Sequence, residues 1–200
     1  MRILATGDIH GDATFIEKIA KEADAKKVDL IVLAGDIADW QGPTDNLIGP
    51  LLRKNRKVCI VPGNHDTFAS ADFLAELYGI TNLHGYVYRV GNVALFGCGG
   101  ANIGMESLSE KEIYKILAEG HKKVQDFAKR IMVTHVHPSG SIMEQMSSFV
   151  PASKGVRRAV EKFKPDLLLC CHVHEASGIE EKIGDTKVVN VSKTTKIFDI

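Results

Sequence analysis

The segment Val58-Cys59-Ile60-Val61-Pro62-Gly63-Asn64-His65-Asp66 joins an apolar run to a polar loop. Its four apolar residues are typical of a strand buried on both faces, and the Pro-Gly pair ends that strand. The same order of apolar run, glycine and polar side chain occurs in residues 30–36 and 3–8. This repetition predicts an α/β fold in which parallel strands carry polar side chains beyond their carboxyl ends.

Amphipathic segments lie between these runs. Residues 14–25 repeat apolar side chains at helical spacing, and Thr14 with Glu17 predicts a capping box, with Asp12 expected to help cap the same helix. A second capping box, Ser109 with Glu112, predicts a helix that Gly120 stops before another helical stretch reaches Lys129. The other predicted helices are residues 71–78 and 154–163.

Further strands are predicted downstream. Three short runs within residues 80–96 indicate antiparallel strands, and buried strands are expected at 131–134 and 167–171, with two or three more in 179–198. The long loop 136–151 is a candidate substrate gate because loops of this length in compact domains are usually functional. No repeat or linker divides the chain, so we expect one domain, residues 1–200.

Composition excludes several classes of protein. The 200 residues carry 25 Lys+Arg and 25 Asp+Glu, a net charge of zero, and 44% of them are hydrophobic. Such a chain is neither disordered nor basic enough to coat nucleic acid. The charge-free stretch 90–105 holds five glycines, so it is not a membrane span. The first eight residues lack a secretory core, and a cytoplasmic protein is therefore expected.

The cysteines lie inside or beside apolar runs without C-x-x-C spacing: Cys59, Cys98, Cys170 and Cys171. This arrangement predicts reduced, buried thiols instead of disulfides or a zinc knuckle.

Metal-capable side chains follow nearly every predicted buried strand. Asp8 and Asp36 are 28 residues apart, as are Asp36 and Asn64, and each interval fits one strand-helix unit. Pairs two residues apart would point the same way on extended backbone; these pairs are Asp8 with His10 and His172 with His174. Taken singly, each residue could equally be a turn former or a cap, and Asp66 could cap the helix at 71–78.

Together, the motifs resemble those of the calcineurin-like metallophosphoesterase superfamily over nearly the whole chain: Asp8-x-His10, Gly35-Asp36, Gly63-Asn64-His65-Asp66, Thr134-His135 and His172-x-His174. The compact size and the Gly97-Cys98-Gly99-Gly100 turn look most like the small MPPED-type phosphoesterases. The resemblance implies a four-layer α/β/β/α sandwich, with two mixed sheets between layers of helices.

The resemblance also implies a dinuclear centre. One metal would be held by Asp8, His10 and His174, and the second by Asn64, His135 and His172, with Asp36 bridging them. A donor set of oxygen and nitrogen without thiolate suits Mn²⁺ first, or Fe, Zn²⁺, Co²⁺ or Ni²⁺. A metal-bridging water or hydroxide would then attack a small phosphodiester or phosphomonoester, with nucleotides among the candidate substrates.

In this family pattern His65 would contact the phosphoryl group or protonate the leaving oxygen, and Asp66 would orient His65. Trp40 is expected on the rim, beside Asp39, where it could stack on a nucleobase or simply pack. The chain departs from the family pattern at Cys171, where glycine is usual, and at His137, where proline is common. His137 is a candidate substrate contact, a competing metal ligand, or a loop histidine without either role.

Two alternatives stay open. A nuclease of the same superfamily would need a basic track, for which residues 53–57 are a candidate, although zero net charge weighs against it. A non-catalytic metal-binding scaffold is the other alternative. Neither a membrane nor a nucleic-acid partner is expected, and the sequence does not fix the oligomeric state.

Overall fold

The computed structural model describes residues 1–40, 42–104, 106–147 and 149–200, and they form two mixed sheets. In spatial order the first sheet contains β11 (Lys196–Asp199), β1 (Arg2–Thr6), β2 (Leu30–Leu33), β3 (Lys57–Ile60) and β4 (Thr81–Asn82). The second contains β5 (Val87–Val90), β6 (Val93–Cys98), β7 (Lys129–Thr134), β8 (Leu167–Cys170), β10 (Thr186–Asn190) and β9 (Glu180–Ile183).

Side-chain alternation along each strand builds the layers. In β1, Ile3 and Ala5 pack between the two sheets, whereas Leu4 faces the outer helices. In β7, Val133 packs between the sheets and Met132 faces outward. Both faces of these strands are therefore buried, which explains why their sequences are continuously apolar. The predicted four-layer sandwich is confirmed.

Helices cover the outer faces. On the first sheet lie α1 (Ala13–Ala25), α2 (Phe68–Tyr78) and a 3-10 segment (Gly49–Asn55); on the second lie α3 (Glu110–Lys122), α4 (Ile142–Met146) and α5 (Lys154–Phe163). A second 3-10 segment, His174–Ala176, follows β8.

Two helix starts differ from prediction. The cap of α1 is Asp12, which accepts a hydrogen bond from the Phe15 N–H, so the Thr14–Glu17 capping box is wrong. The cap of α2 is Thr67, so the reading of Asp66 as that helix's cap is also wrong. In both cases a neighbouring side chain outside the helix accepts a hydrogen bond from a free N–H group of the first turn. The predicted capping box at Ser109 is confirmed.

Three further expectations need correction. Helix α3 runs through Gly120 to Lys122, and no second helix follows before β7. Gly120 serves close packing instead, because an added Cβ would lie 3.2 Å from the Cβ of Phe96. Loop 136–151 contains the short α4, and β4 pairs parallel with β3, whereas β5 with β6 is antiparallel as expected.

The strand directions bring one end of both sheets together. β1, β2 and β3 are mutually parallel in the first sheet, as are β7 and β8 in the second. Their carboxyl ends therefore open onto a shared edge. Among the described helices, none is long and apolar enough to cross a bilayer.

Candidate metal centre

Loops after β1 and β2 are locked together by their backbones. The N–H of Asp8 donates to the carbonyl of Gly35, and the N–H of His10 donates to the carbonyl of Asp36, both at 2.9 Å. Asp8, His10 and Asp36 have positive φ angles of 53°, 48° and 49°. The expected extended backbone from Asp8 to His10 is therefore wrong, and the two side chains converge through left-handed turns that the paired loops stabilise.

The first group of possible ligands is Asp8, His10 and His174, which can bring one donor atom each within 4.8 Å of one another. Oδ2 of Asp8 lies 3.5 Å from Nε2 of His174 and accepts a hydrogen bond from the His172 N–H at 3.2 Å. Asp8 is almost fully buried. A buried carboxylate faced by imidazoles is an arrangement that suits a cation.

The second group is Asp36, His135 and His172, with Asn64 beside it. Nε2 of His135 lies 2.9 Å from Oδ1 of Asn64, 3.1 Å from Nδ1 of His172 and 3.4 Å from Oδ2 of Asp36. The two-residue spacing of His172 and His174 predicts that they face one way, but they belong to different groups. A positive φ of 79° at His172 turns the backbone between them.

The backbone carbonyl of Ala34 fixes the orientation of the His135 ring. Its Nδ1 lies 3.0 Å from the carbonyl oxygen of Ala34, so Nδ1–H donates there and Nε2 is free to face Asn64, His172 and Asp36. Burial lowers the pKa of His135, but the carboxylates of Asp36 and Asp8 outweigh burial and raise it overall. Burial, followed by the charge of His135, lowers the pKa of His172 to about 2. A pKa this low keeps the His172 imidazole neutral near pH 7, which is the form that binds a metal.

Two glycines let the loops approach. A Cβ at Gly35 would meet the ring of His135, and a Cβ at Gly63 would meet the carboxylate and backbone of Asp36. Only glycine leaves room for these side chains at this edge of the sheets.

Asp66 connects the loop that follows β2 to the loop that follows β3. Its carboxylate accepts hydrogen bonds from the N–H groups of Ile37, Ala38 and Gly63 at 2.9–3.1 Å. Burial raises the pKa of Asp66, while these backbone bonds oppose the rise. None of the described hydrogen bonds joins Asp66 to the ring of His65. The carboxylate of Asp66 binds loop backbone instead.

Asp39 contacts His65 and His10 instead. Its Oδ1 lies 2.8 Å from Nδ1 of His10 and 3.6 Å from Nδ1 of His65. The ring centroid of His65 lies 5.0 Å from that of His10 and 6.4 Å from that of Trp40, whose side chain is 41% exposed on the rim. Sequence reasoning placed Asp39 on the rim but missed this contact with two histidines, for which the spacing carries no signal.

A cleft of about 300 Å³ opens above both groups. Its polar floor includes His10, Asp36, Asn64 and His65, and its wall includes Ile103, Val150 and Glu175. The seven predicted ligands and His65 are thus brought to one place, close to Trp40.

Several buried atoms at this place have no hydrogen-bond partner among the residues that the structure describes, including Oδ1 of Asp8 and Nε2 of His10. Buried polar atoms are normally hydrogen-bonded. A carboxylate oxygen and a ring nitrogen left unpaired at one site can instead serve as ligand atoms for a bound cation. The set of carboxylate, imidazole and amide donors without thiolate fits divalent transition metals. The residues present therefore fit a metal centre.

His137 lies away from the cleft. Its side chain is fully buried, and neither ring nitrogen has a hydrogen-bond partner in the protein. Burial lowers the pKa of His137 to about 4. The two candidate roles of His137, substrate contact and metal ligand, therefore stay predictions.

The four cysteines are free and buried, as predicted. Cys171 packs between the two sheets, and burial raises the pKa of its thiol well above the ordinary range. Its Sγ fills the space that a Cβ at Gly7 would occupy.

The sequence profile of the calcineurin-like phosphoesterase family matches residues 1–176. The chain belongs to this family. No curated protein matches it, and the closer resemblance to the MPPED-type enzymes stays a prediction.

Solved structures share the fold. A Thermus thermophilus protein, TT1561, has a TM-score of 0.76 at 20% identity, over 94% of this chain and 88% of that one. A dimetal phosphatase from Danio rerio has a TM-score of 0.63 at 12% identity, over 95% and 86% of the two chains. An archaeal phosphodiesterase has a TM-score of 0.51 at 14% identity, over 95% and 82%.

Proposed function

We propose that this chain is a dinuclear metal-dependent phosphoesterase that hydrolyses a small phosphodiester or phosphomonoester, with nucleotides among the candidates. The observation that carries the proposal is the position of Asp36. Its Oδ2 lies 3.7 Å from Nε2 of His10 in the first group and 3.4 Å from Nε2 of His135 in the second. One buried carboxylate oxygen therefore faces both groups and is placed to bridge two ions.

The proposed ligands are those of the two groups with Asn64, and Mn²⁺ is the metal we favour, ahead of Fe, Zn²⁺, Co²⁺ and Ni²⁺. Two bound divalent ions would supply the positive charge that acidifies a water molecule and stabilises a phosphoryl group under attack. The contribution of the chain is to hold the donors in place, through the Ala34 carbonyl on His135 and the paired loops beneath Asp8 and His10.

His65 is the residue we assign to the phosphoryl group. Its side chain is 40% exposed in the cleft, beside His10 and within reach of the Asp39 carboxylate. An imidazole in this position can donate a hydrogen bond to a phosphoryl oxygen or a proton to the leaving oxygen. Asp66 would act indirectly, as a positioning residue that holds the loops carrying His65 and Asp36.

The nuclease alternative has less support. Arg53 is bound bidentately by Glu17 at 2.7 and 3.0 Å, and Asp24 pairs with Arg56 at 2.6 Å and Lys54 at 3.6 Å. Three of the four cations of the candidate basic strip are therefore already paired. The scaffold alternative requires an incomplete ligand set, whereas all seven ligand positions are filled here. The single domain over residues 1–200 and the cytoplasmic location stay predictions.

The test is hydrolysis of an aryl phosphodiester and an aryl phosphomonoester by metal-stripped protein titrated with Mn²⁺. Asp36→Asn should remove the metal-dependent turnover, and Asp126→Asn, a change at an exposed carboxylate, should not. The ratio of the two rates assigns diester or monoester preference. Two bound metals without turnover of either ester would favour the scaffold, and absence of metal binding would refute the centre.

A further inference from the structure

A second cavity, of about 370 Å³, adjoins the cleft at His10. We name it the lysine cavity, and its polar lining consists of Asp8, His10, Asp12, Lys18 and Lys193, with Phe15 as its aromatic side. His10 is the residue that lines both spaces. A phosphoryl group held at the metal centre would therefore have open space on two sides, and the rest of the substrate must occupy one or both.

Lys18 and Lys193 give this cavity its cationic character. Both are exposed, and within the described part of the chain neither forms an ion pair with a carboxylate. The backbone of Lys193 is fixed, because its N–H donates to the carbonyl of Gly7 at 2.9 Å beside the end of β1. Lys193 lines the same cavity as Asp8 and His10, so its side chain lies beside the first ligand group.

The two acidic residues of the cavity, Asp8 and Asp12, each have another role. Oδ1 of Asp12 accepts the capping hydrogen bond of the Phe15 N–H at 2.9 Å, and Asp8 belongs to the proposed ligands. On the opposite wall the cleft presents Glu175 with Ile103 and Val150, and its described lining includes neither lysine nor arginine. Away from the metal centre, the ammonium groups that can attract an anionic group of the substrate therefore lie in the lysine cavity and not along the described lining of the cleft.

We propose that the lysine cavity binds a second phosphate group of the substrate, so that the preferred substrates are phosphate esters that carry a further phosphate. The proposal rests on the proposed function, because the scissile phosphoryl group must sit at the metal centre. Lysine ammonium groups suit this role, since they bind phosphate as point charges without demanding one geometry. Phe15 offers an apolar surface to the part of the substrate between the two phosphates.

The experiment compares adenosine 5′-monophosphate with adenosine 3′,5′-bisphosphate as competitors of 4-nitrophenyl phosphate turnover by the Mn²⁺-loaded protein. We expect the bisphosphate to compete about tenfold better, because two cations a few ångströms from a dianion contribute on this scale even when exposed. Added salt should shrink this advantage, since exposed charges are screened.

The double variant Lys18→Gln/Lys193→Gln should lose most of the advantage, measured as the ratio of the inhibition constants of the two nucleotides within that same protein. The matched control Lys21→Gln/Lys26→Gln, which removes two exposed lysines outside the lining, should keep the advantage. Equal competition by the two nucleotides in the wild type, or an unchanged advantage in the first double variant, would overturn the proposal.

The two proposals fail differently. If 4-nitrophenyl phosphate is hydrolysed but the bisphosphate has no advantage, only the lysine cavity is refuted. If neither 4-nitrophenyl phosphate nor the aryl phosphodiester is hydrolysed with any metal, the proposed function is refuted. Calorimetric titration of the same two nucleotides into the metal-loaded wild type and double variant then decides whether the cavity binds the second phosphate.

Discussion

The backbone N–H of His65 donates a 2.8 Å hydrogen bond to Oδ1 of Asp36. This bond orients the carboxylate so that its other oxygen, Oδ2, faces His10 and His135. His65 therefore acts on the centre in two separable ways, because its backbone positions the bridging carboxylate and its ring lines the cleft.

His65→Ala should separate these roles, since the backbone donor stays and the ring is removed. We expect both metals to bind as in the wild type and turnover to fall at least about a hundredfold, the scale of a lost acid or phosphoryl contact. Metal content by elemental analysis and kcat for the aryl esters check this. Unchanged turnover would remove the ring from the mechanism, and His121→Ala is a histidine control outside the cleft.

Asp66→Asn should destabilise the loops of the centre. The amide has one acceptor oxygen and turns an NH₂ group toward backbone donors, so part of the set from Ile37, Ala38 and Gly63 is left unpaired. A buried unpaired donor costs about 1–3 kcal/mol. Denaturant unfolding should show this loss, with weaker affinity for both metals. Asp126→Asn is the control, and an unaltered free energy of unfolding would contradict the role of Asp66.

His84 should make stability depend on pH. Its Nδ1 accepts the Gly99 N–H at 3.1 Å, its ring lies 4.5 Å from that of Phe68, and burial lowers its pKa from the ordinary 6.5. Because the unfolded chain then binds the proton more readily, the contribution of His84 is complete above about pH 6.5 and is lost as pH falls through the folded-state pKa.

The measurement is urea unfolding of metal-free wild type and His84→Gln at pH 7.5 and 5.5. Glutamine keeps an acceptor and does not titrate, so the wild type should lose more free energy of unfolding between the two pH values than the variant. The metal centre is the same in both proteins, so its contribution cancels in the comparison. Identical losses would show that His84 is not the sensitive group.

His137→Leu should stabilise the metal-free protein by about 1 kcal/mol, because it replaces a buried imidazole without hydrogen-bond partners by an apolar side chain. Thermal or denaturant unfolding checks the sign. A loss of stability would instead show that the ring nitrogens of His137 are paired in solution, with buried water as the partner.

Much of the fold could be predicted because its strands are buried on both faces. Residues such as those of β2 and β8 form apolar runs that no surface element would carry, and their glycine and polar ends mark where the loops begin. The clustering of these polar side chains was predictable for the same reason, since the carboxyl ends of neighbouring parallel strands lie at one edge of a sheet. Their assignment as metal ligands came from the resemblance to the family.

What could not be predicted depends on contacts between loops and on local competition. Thr14 and Asp12 both suit a helix cap, and only the backbone at Asp12 decides between them. Gly120 ends no helix because the close approach to Phe96 is a tertiary contact. The contacts of Asp39 with His10 and His65, and the placement of Lys193 in one cavity with Asp8 and His10, join segments far apart in sequence.

Cys171 and Gly7 share one space between the sheets. The family pattern usually has glycine at the position of Cys171. Here the larger side chain fits because the residue that faces it, Gly7, has no side chain. The free energies of substitution at these two positions are therefore coupled and do not add. Gly7→Ala alone should clash, Cys171→Gly alone should leave a void, and the two together should offset each other. At the edge of the centre, the Cys171 thiol thus occupies volume that a side chain at position 7 would otherwise take.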